Sequence, residues 1–80
     1  MKINFYGKLA DIVGRDLDFE LVGPCTIGEL RERLSATYPA IASPLQDKRV
    51  RACVRRAVAS DDCRISPNDE VEFLAPVSGG

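Results

Sequence analysis

At 80 residues, 45% hydrophobic and 29% charged, the chain has room for one domain with one modest core and lies outside the disordered range. A formal net charge of −1 gives no general attraction to nucleic acid or to an anionic membrane, and no apolar run reaches the roughly 20 residues that a membrane helix needs. Histidine is absent, which removes Cys-His and Ser-His catalytic pairs and the commonest zinc ligand.

The start, Met1-Lys2-Ile3-Asn4, enters a strand pattern at once and does not read as a signal peptide. Cys25, Cys53 and Cys63 are odd in number and nowhere at CxxC spacing, so a disulfide framework is not expected and a reducing cytoplasm is.

Residues 2–7 alternate, with Ile3 and Phe5 toward a core and Lys2, Asn4 and Tyr6 opposite. Leu9, Ala10, Ile12 and Val13 before Gly14 predict a short helical turn stopped by glycine. Residues 17–22 alternate again and predict a second strand, with Leu17, Phe19 and Leu21 on one face. Thr26-Ile27-Gly28-Glu29 fits a capping box, and Ile27, Leu30, Leu34 and Tyr38 recur at helical spacing. Pro39 disfavours helical geometry at Tyr38, so a helix over about 27–37 is expected.

Residues 39–49, with Pro39 and Pro44, read as a loop with a short turn of helix. A third strand at 50–55 points Val50, Ala52 and Val54 inward, and 57–59 makes a short fourth. Pro67-Asn68-Asp69-Glu70 is a turn, and 71–75 is the last strand, with Val71 and Phe73 inward. Pro76 ends the ladder because it has no N–H to donate. The prediction is an α+β fold, a mixed sheet of four or five strands with one main helix on one face, spanning 1–75, and a flexible tail at 76–80.

Pro76, Val77, Ser78, Gly79 and Gly80 follow that strand. Fully extended, five residues reach about 17 Å, enough to enter a partner's active site while the domain stays outside. Glycines at 79 and 80 fit a channel that a Cβ would block. A carboxylate at Gly80 is a poor electrophile until activated, for example as an acyl adenylate, after which a persulfide sulfur displaces AMP. The groups for that activation are not visible in the chain, so a partner must bring them. Against this stands chance, since a terminal Gly-Gly arises about once in 200 chains and glycine-rich ends are often inert.

FYGKLADIVG at 5–14, TIGELRERL at 26–34 and above all NDEVEFLAPVSGG at 68–80 resemble the small-subunit, sulfur-carrier family of molybdopterin synthase. That family lies within the ubiquitin-like β-grasp superfamily, and the resemblance spans the whole chain. It implies that an ATP-dependent adenylating enzyme, using ATP and Mg, activates Gly80. A sulfur-donating persulfide protein then leaves a thiocarboxylate there. It further implies a heterotetramer with the large synthase subunit, to whose cyclic pyranopterin monophosphate the sulfur passes; the isolated chain binds no cofactor and no metal. Ala75 stands where a second proline is usual, Leu74 where an aromatic is common, Arg55 where asparagine is frequent and Asn68 where a turn glycine is usual. A thiamine-type carrier, a ubiquitin-like protein modifier and a binding module with an inert tail are the competing readings.

Two further features are candidates for contact. Tyr6, Val58 and Leu74 share the sheet face opposite the helix and form a candidate partner interface, to which the resemblance also points. Lys48, Arg49, Arg51, Arg55 and Arg56 form a basic stretch; Arg51, Arg55 and Arg56 are its candidate docking residues, against the simpler reading of a solvated strand. Cys53 alternates outward between Arg51 and Arg55, but a free cysteine more often serves as a small hydrophobe.

Overall fold

The structure, a computed structural model, describes residues 1–47 and 49–75. Its centre is a parallel pair, β1 (Lys2–Tyr6) and β7 (Glu70–Leu74), in register from Lys2↔Glu70 to Tyr6↔Leu74. Strand β2 (Asp16–Asp18) lies antiparallel outside β1. On the other side β4 (Arg51–Val54) pairs antiparallel with β7, and β5 (Ala57–Ala59) closes that edge. The five-stranded mixed sheet runs β2-β1-β7-β4-β5. A parallel pair needs a crossover, and among the described residues the connection carries three α-helices: α1 (Lys8–Val13), α2 (Ile27–Thr37) and α3 (Ala42–Gln46). This is the α+β architecture expected from the alternation pattern.

Helix α2 has the predicted bounds, and its caps explain them. Thr26 Oγ1 accepts from the Glu29 backbone N–H at 3.1 Å, and Glu29 Oε1 accepts from the Thr26 N–H at 2.8 Å. That donation from Thr26 also holds the Glu29 carboxyl below its ordinary pKa. At the far end Tyr38, ahead of Pro39, leaves helical geometry at φ −125° and ψ 80°. Ile27, Leu30 and Leu34 are fully buried against Ile3, Phe5, Val71 and Phe73, each burial stabilising by roughly 1.5–3 kcal/mol. The Phe5 and Phe73 rings stack with centroids 5.8 Å apart, tying the two central strands beneath the helix. Helix α1 stops at Gly14, whose φ of +89° only glycine adopts readily.

Several local expectations change, among them the third strand, which is Arg51–Val54 rather than 50–55. The second strand is Asp16–Asp18, not 17–22, because β1 begins at Lys2 and runs out of backbone to pair: Phe19 N–H donates to Met1 O, and the chain then departs. Leu17, Phe19 and Leu21 still pack against the core, so the alternation marks their face but not their pairing. The 39–49 segment is more helical than expected, with a 3-10 turn at Pro39–Ile41 running into α3. A second, two-stranded sheet pairs β3 (Cys25–Thr26) with β6 (Arg64–Ile65), too short to leave a period in the sequence. The last strand starts one residue earlier than expected, at Glu70.

The hairpin between β4 and β5 turns on Arg55 and Arg56, both in the left-handed region with φ of 52° and 67°. Two such residues make the type I′ turn that matches strand twist, normally supplied by Asn-Gly. Without glycine or asparagine there, the sequence carries no turn signal at this point.

Arg31 is the main buried residue that periodicity overlooks. Its guanidinium donates to Leu45 O at 2.7 Å, Val50 O at 2.9 Å and Asp61 Oδ1 at 3.0 Å, and lies 5.3 Å from the Phe73 ring centroid. One side chain thereby pins α2 to the end of α3, the start of β4 and the loop before β6. The spacing did place Arg31 between Ile27 and Leu34 on the apolar side, which was the available signal.

Candidate functional site

The strand period divides the central sheet into two faces. Ile3, Phe5, Ala52, Val54, Val71 and Phe73 point to α2 and are buried. The alternate residues of β1, β7 and β4 form the open face, and their register fixes who sits beside whom. Tyr6 pairs with Leu74, and Leu74 with Arg51. One row further in, Asn4 pairs with Glu72, Glu72 with Cys53, and Cys53 with Val58.

Of the three apolar residues proposed for an interface, Tyr6 and Leu74 are neighbours, 44% and 38% exposed. Val58, 64% exposed, is on the same face but lies two strand spacings from Leu74, about 10 Å, with β4 between. The apolar surface is therefore a Tyr6–Leu74 pair and a separate Val58 at the edge strand, not one patch.

The basic residues divide more sharply. Arg51 flanks Leu74 at one end of β4, whereas Arg55 and Arg56 occupy the turn at the other end, roughly 13 Å away at 3.3 Å per residue. Arg55 Nη1 is already engaged by Asp69 Oδ1 at 2.8 Å. The Asp69 carboxyl is held below its usual range by the Ser66 backbone N–H and further by Arg55. Arg49 is paired with Asp47 at 2.9 Å, whose carboxyl that contact lowers to about 2. The three arginines do not form one docking patch; only Arg51 adjoins the apolar pair. Lys48 lies outside the described residues.

The polar residues of the face form an order that sequence reasoning missed. Tyr6 OH donates to Glu72 Oε2 at 3.0 Å, and Asn4 Nδ2 donates to Glu70 Oε2 at 2.7 Å. The hydrogen bond to Glu72 raises the Tyr6 pKa above its ordinary value. Alternation assigned Asn4 and Tyr6 outward, while Glu70 was expected in a turn, and only the parallel β1–β7 register brings Tyr6 to Glu72 and Asn4 to Glu70.

Ala75 follows Leu74 at the point where β1 has ended, and Gly7 lies against it. A Cβ built on Gly7 falls 3.3 Å from Ala75 Cβ, and Gly7 has φ +68°, so glycine is demanded by both space and conformation. The root of the predicted tail thus emerges beside Tyr6 and Leu74. Pro76, Val77, Ser78, Gly79 and Gly80 lie outside the described residues.

The cysteines do not converge on this site as a group. Cys25 belongs to the core, where burial pushes its thiol pKa up, and Cys53 and Cys63 are half-buried on different elements. Among the described residues no group of three or more His, Cys, Asp or Glu is arranged to hold a metal ion, and no helix is long and apolar enough to cross a membrane. A groove of about 560 Å³ opens between α3 and β5, lined in part by Arg31, Arg51, Val58 and Asp61. What the described residues assemble is an open sheet face on which Tyr6 and Leu74 lie together, with Ala75 directly after them.

The ThiS family model matches residues 3–80. The molybdopterin synthase sulfur carrier subunit of Escherichia coli is 30% identical over 80 residues, covering 100% of this chain and 99% of that protein. The protein of the same name from Dictyostelium discoideum is 29% identical, covering 99% of this chain and 94% of its own. The crystal structure of SAMP1 from Haloferax volcanii superposes with a TM-score of 0.83 at 22% identity, covering 100% of this chain and 98% of that one. A second structure, of the small archaeal modifier protein 1 of the same organism, gives 0.80 at 19% identity over 96% of this chain. At these identities the solved structures establish the ubiquitin-like fold alone.

Proposed function

The chain belongs to the ThiS family, and from that membership we propose that it is the sulfur carrier and donor subunit of molybdopterin synthase, with the Gly80 carboxylate as its working group. The observation that carries this reading is the full-length match to carrier subunits, which runs through the PVSGG segment to residue 80. The placement of Ala75 beside an exposed Tyr6–Leu74 pair supports it, because docking through that pair would direct whatever follows Ala75 into the partner.

In this proposal an adenylating enzyme joins the Gly80 carboxylate to the α-phosphate of ATP, with Mg bound by that enzyme, and releases pyrophosphate. The terminal sulfur of a protein persulfide attacks the acyl carbon and AMP leaves. A thiol then cleaves the resulting acyl disulfide, releasing the thiocarboxylate on Gly80 and a disulfide on the donor side. In the large subunit that sulfur is transferred to cyclic pyranopterin monophosphate. This chain supplies the domain that docks and the segment that delivers the carboxyl carbon. Its site of action would be the cytoplasm.

The test is deletion of Gly80 and, separately, addition of one alanine after it. Activation and transfer need one carbon at a fixed point, and a displacement of about 1 Å can cost roughly 100-fold in rate. One residue moves the carbon by about 3.3 Å. Both variants should unfold at the wild-type temperature yet fail to gain the mass of one oxygen-to-sulfur exchange. Either variant accepting sulfur at a near wild-type rate would sink the reading. A modifier, the competing reading, would instead appear as high-mass conjugates in extracts of its host.

A further inference from the structure

The open sheet face is electrically two-sided, and this carries an inference that rests on the docking just proposed. Glu72 sits on the central strand, flanked in register by Asn4 and Cys53, one row from the Tyr6–Leu74 pair. A partner that covers Tyr6, Leu74 and Val58 therefore covers Glu72 as well. Glu70 and Glu72 are held in place by the neutral donors Asn4 and Tyr6, each through one carboxylate oxygen. Among the described residues neither makes an ion pair, and neither does Arg51, on the far side of Leu74. Asp16, outward on β2 opposite Asn4, adds to the negative side; Lys2, opposite Glu70, and Arg15, which lines the same edge with Tyr6 and Asp16, are the cations beside it and offset it in part.

An apolar partner surface would strand these charges out of water, which is strongly unfavourable for a carboxylate left without a counter-ion. We propose that the large subunit meets this face with a guanidinium or ammonium group over the β1–β7 carboxylates and a carboxylate over Arg51, so that charge fixes a single docking orientation. A guanidinium suits the site because Glu72 and Glu70 each keep one oxygen without a described donor, and the rigid carboxylate is ready for a charge-assisted bond. Turning the partner by half a revolution on the face would set like charges together, so the wrong orientation is rejected.

The experiment uses the full chain and the large synthase subunit of the same organism, with association followed by stopped flow across a salt series. Glu72→Gln keeps an oxygen for the Tyr6 hydroxyl and removes only the charge. Glu70→Gln does the same beside Asn4, and Arg51→Gln removes the positive side. Each variant should lower the association rate by several-fold at low ionic strength, with the double Glu variant near 10-fold or beyond, and the differences should shrink as salt rises. Unfolding midpoints close to wild type establish that the fold is intact. Association rates and salt slopes equal to wild type in all variants would overturn this inference and leave the carrier reading standing. A wild-type chain that does not bind the large subunit at all would overturn both.

Discussion

The two faces of the same three strands differ in what their residues answer to. On the helix side, Ile3, Phe5, Val71 and Phe73 are wholly buried and interchangeable in chemistry, because a core asks only for apolar volume in the right place. On the open side, one residue along each strand, Asn4, Tyr6, Glu72, Leu74 and Arg51 each have a distinct neighbour fixed by register. The first set makes the domain; the second has little to contribute to stability and is free to be shaped by a partner.

The comparison breaks most visibly at Phe73. Phe73→Ala removes a stacked ring from the centre of the core and should cost about 3–5 kcal/mol, read as a lower denaturant midpoint. Arg31→Met tests whether the helix side is purely apolar. It leaves Leu45 O and Val50 O without their donors, and a loss of about 2–4 kcal/mol is expected by chemical denaturation, since buried acceptors without a donor are penalised. A neutral result would mean that water replaces the guanidinium. Leu74→Asp, on the open side, should change stability by no more than about 0.5 kcal/mol, as surface substitutions do. The same change should weaken binding to the large subunit sharply, measured by titration calorimetry, because a new charge beside Tyr6 must be desolvated on docking. Unchanged affinity would place the interface elsewhere.

The helix side was readable from the sequence because burial imposes a period. The strands at β1, β4, β5 and β7 followed from alternation, and α2 from a capping box at Thr26 and a proline at 39. What escaped depended on pairing. Residues 19–22 continue the alternation of a strand but have no partner beyond Met1, leaving Val22 almost fully exposed. The β3–β6 ribbon is two residues long on each side. On the open face, the outward assignment of Tyr6, Val58 and Leu74 was legible, but not that β4 separates Val58 from the others. The split of Arg51 from Arg55 and Arg56 was likewise hidden, because five residues close in sequence span the length of a strand.

The parallel pairing of β1 with β7 has a kinetic consequence. The two central strands, Lys2–Tyr6 and Glu70–Leu74, are far apart in the sequence, so the contact that joins them closes a long loop. Such long closures are entropically costly and slow the search. During synthesis β1 is made well before its parallel partner, while Phe73, the row of Glu70, Glu72 and Leu74, and the backbone that positions Ala75 all arrive with β7. A chain cut short before β7 lacks the middle strand of the sheet, and with it one row of the core and one row of the open face.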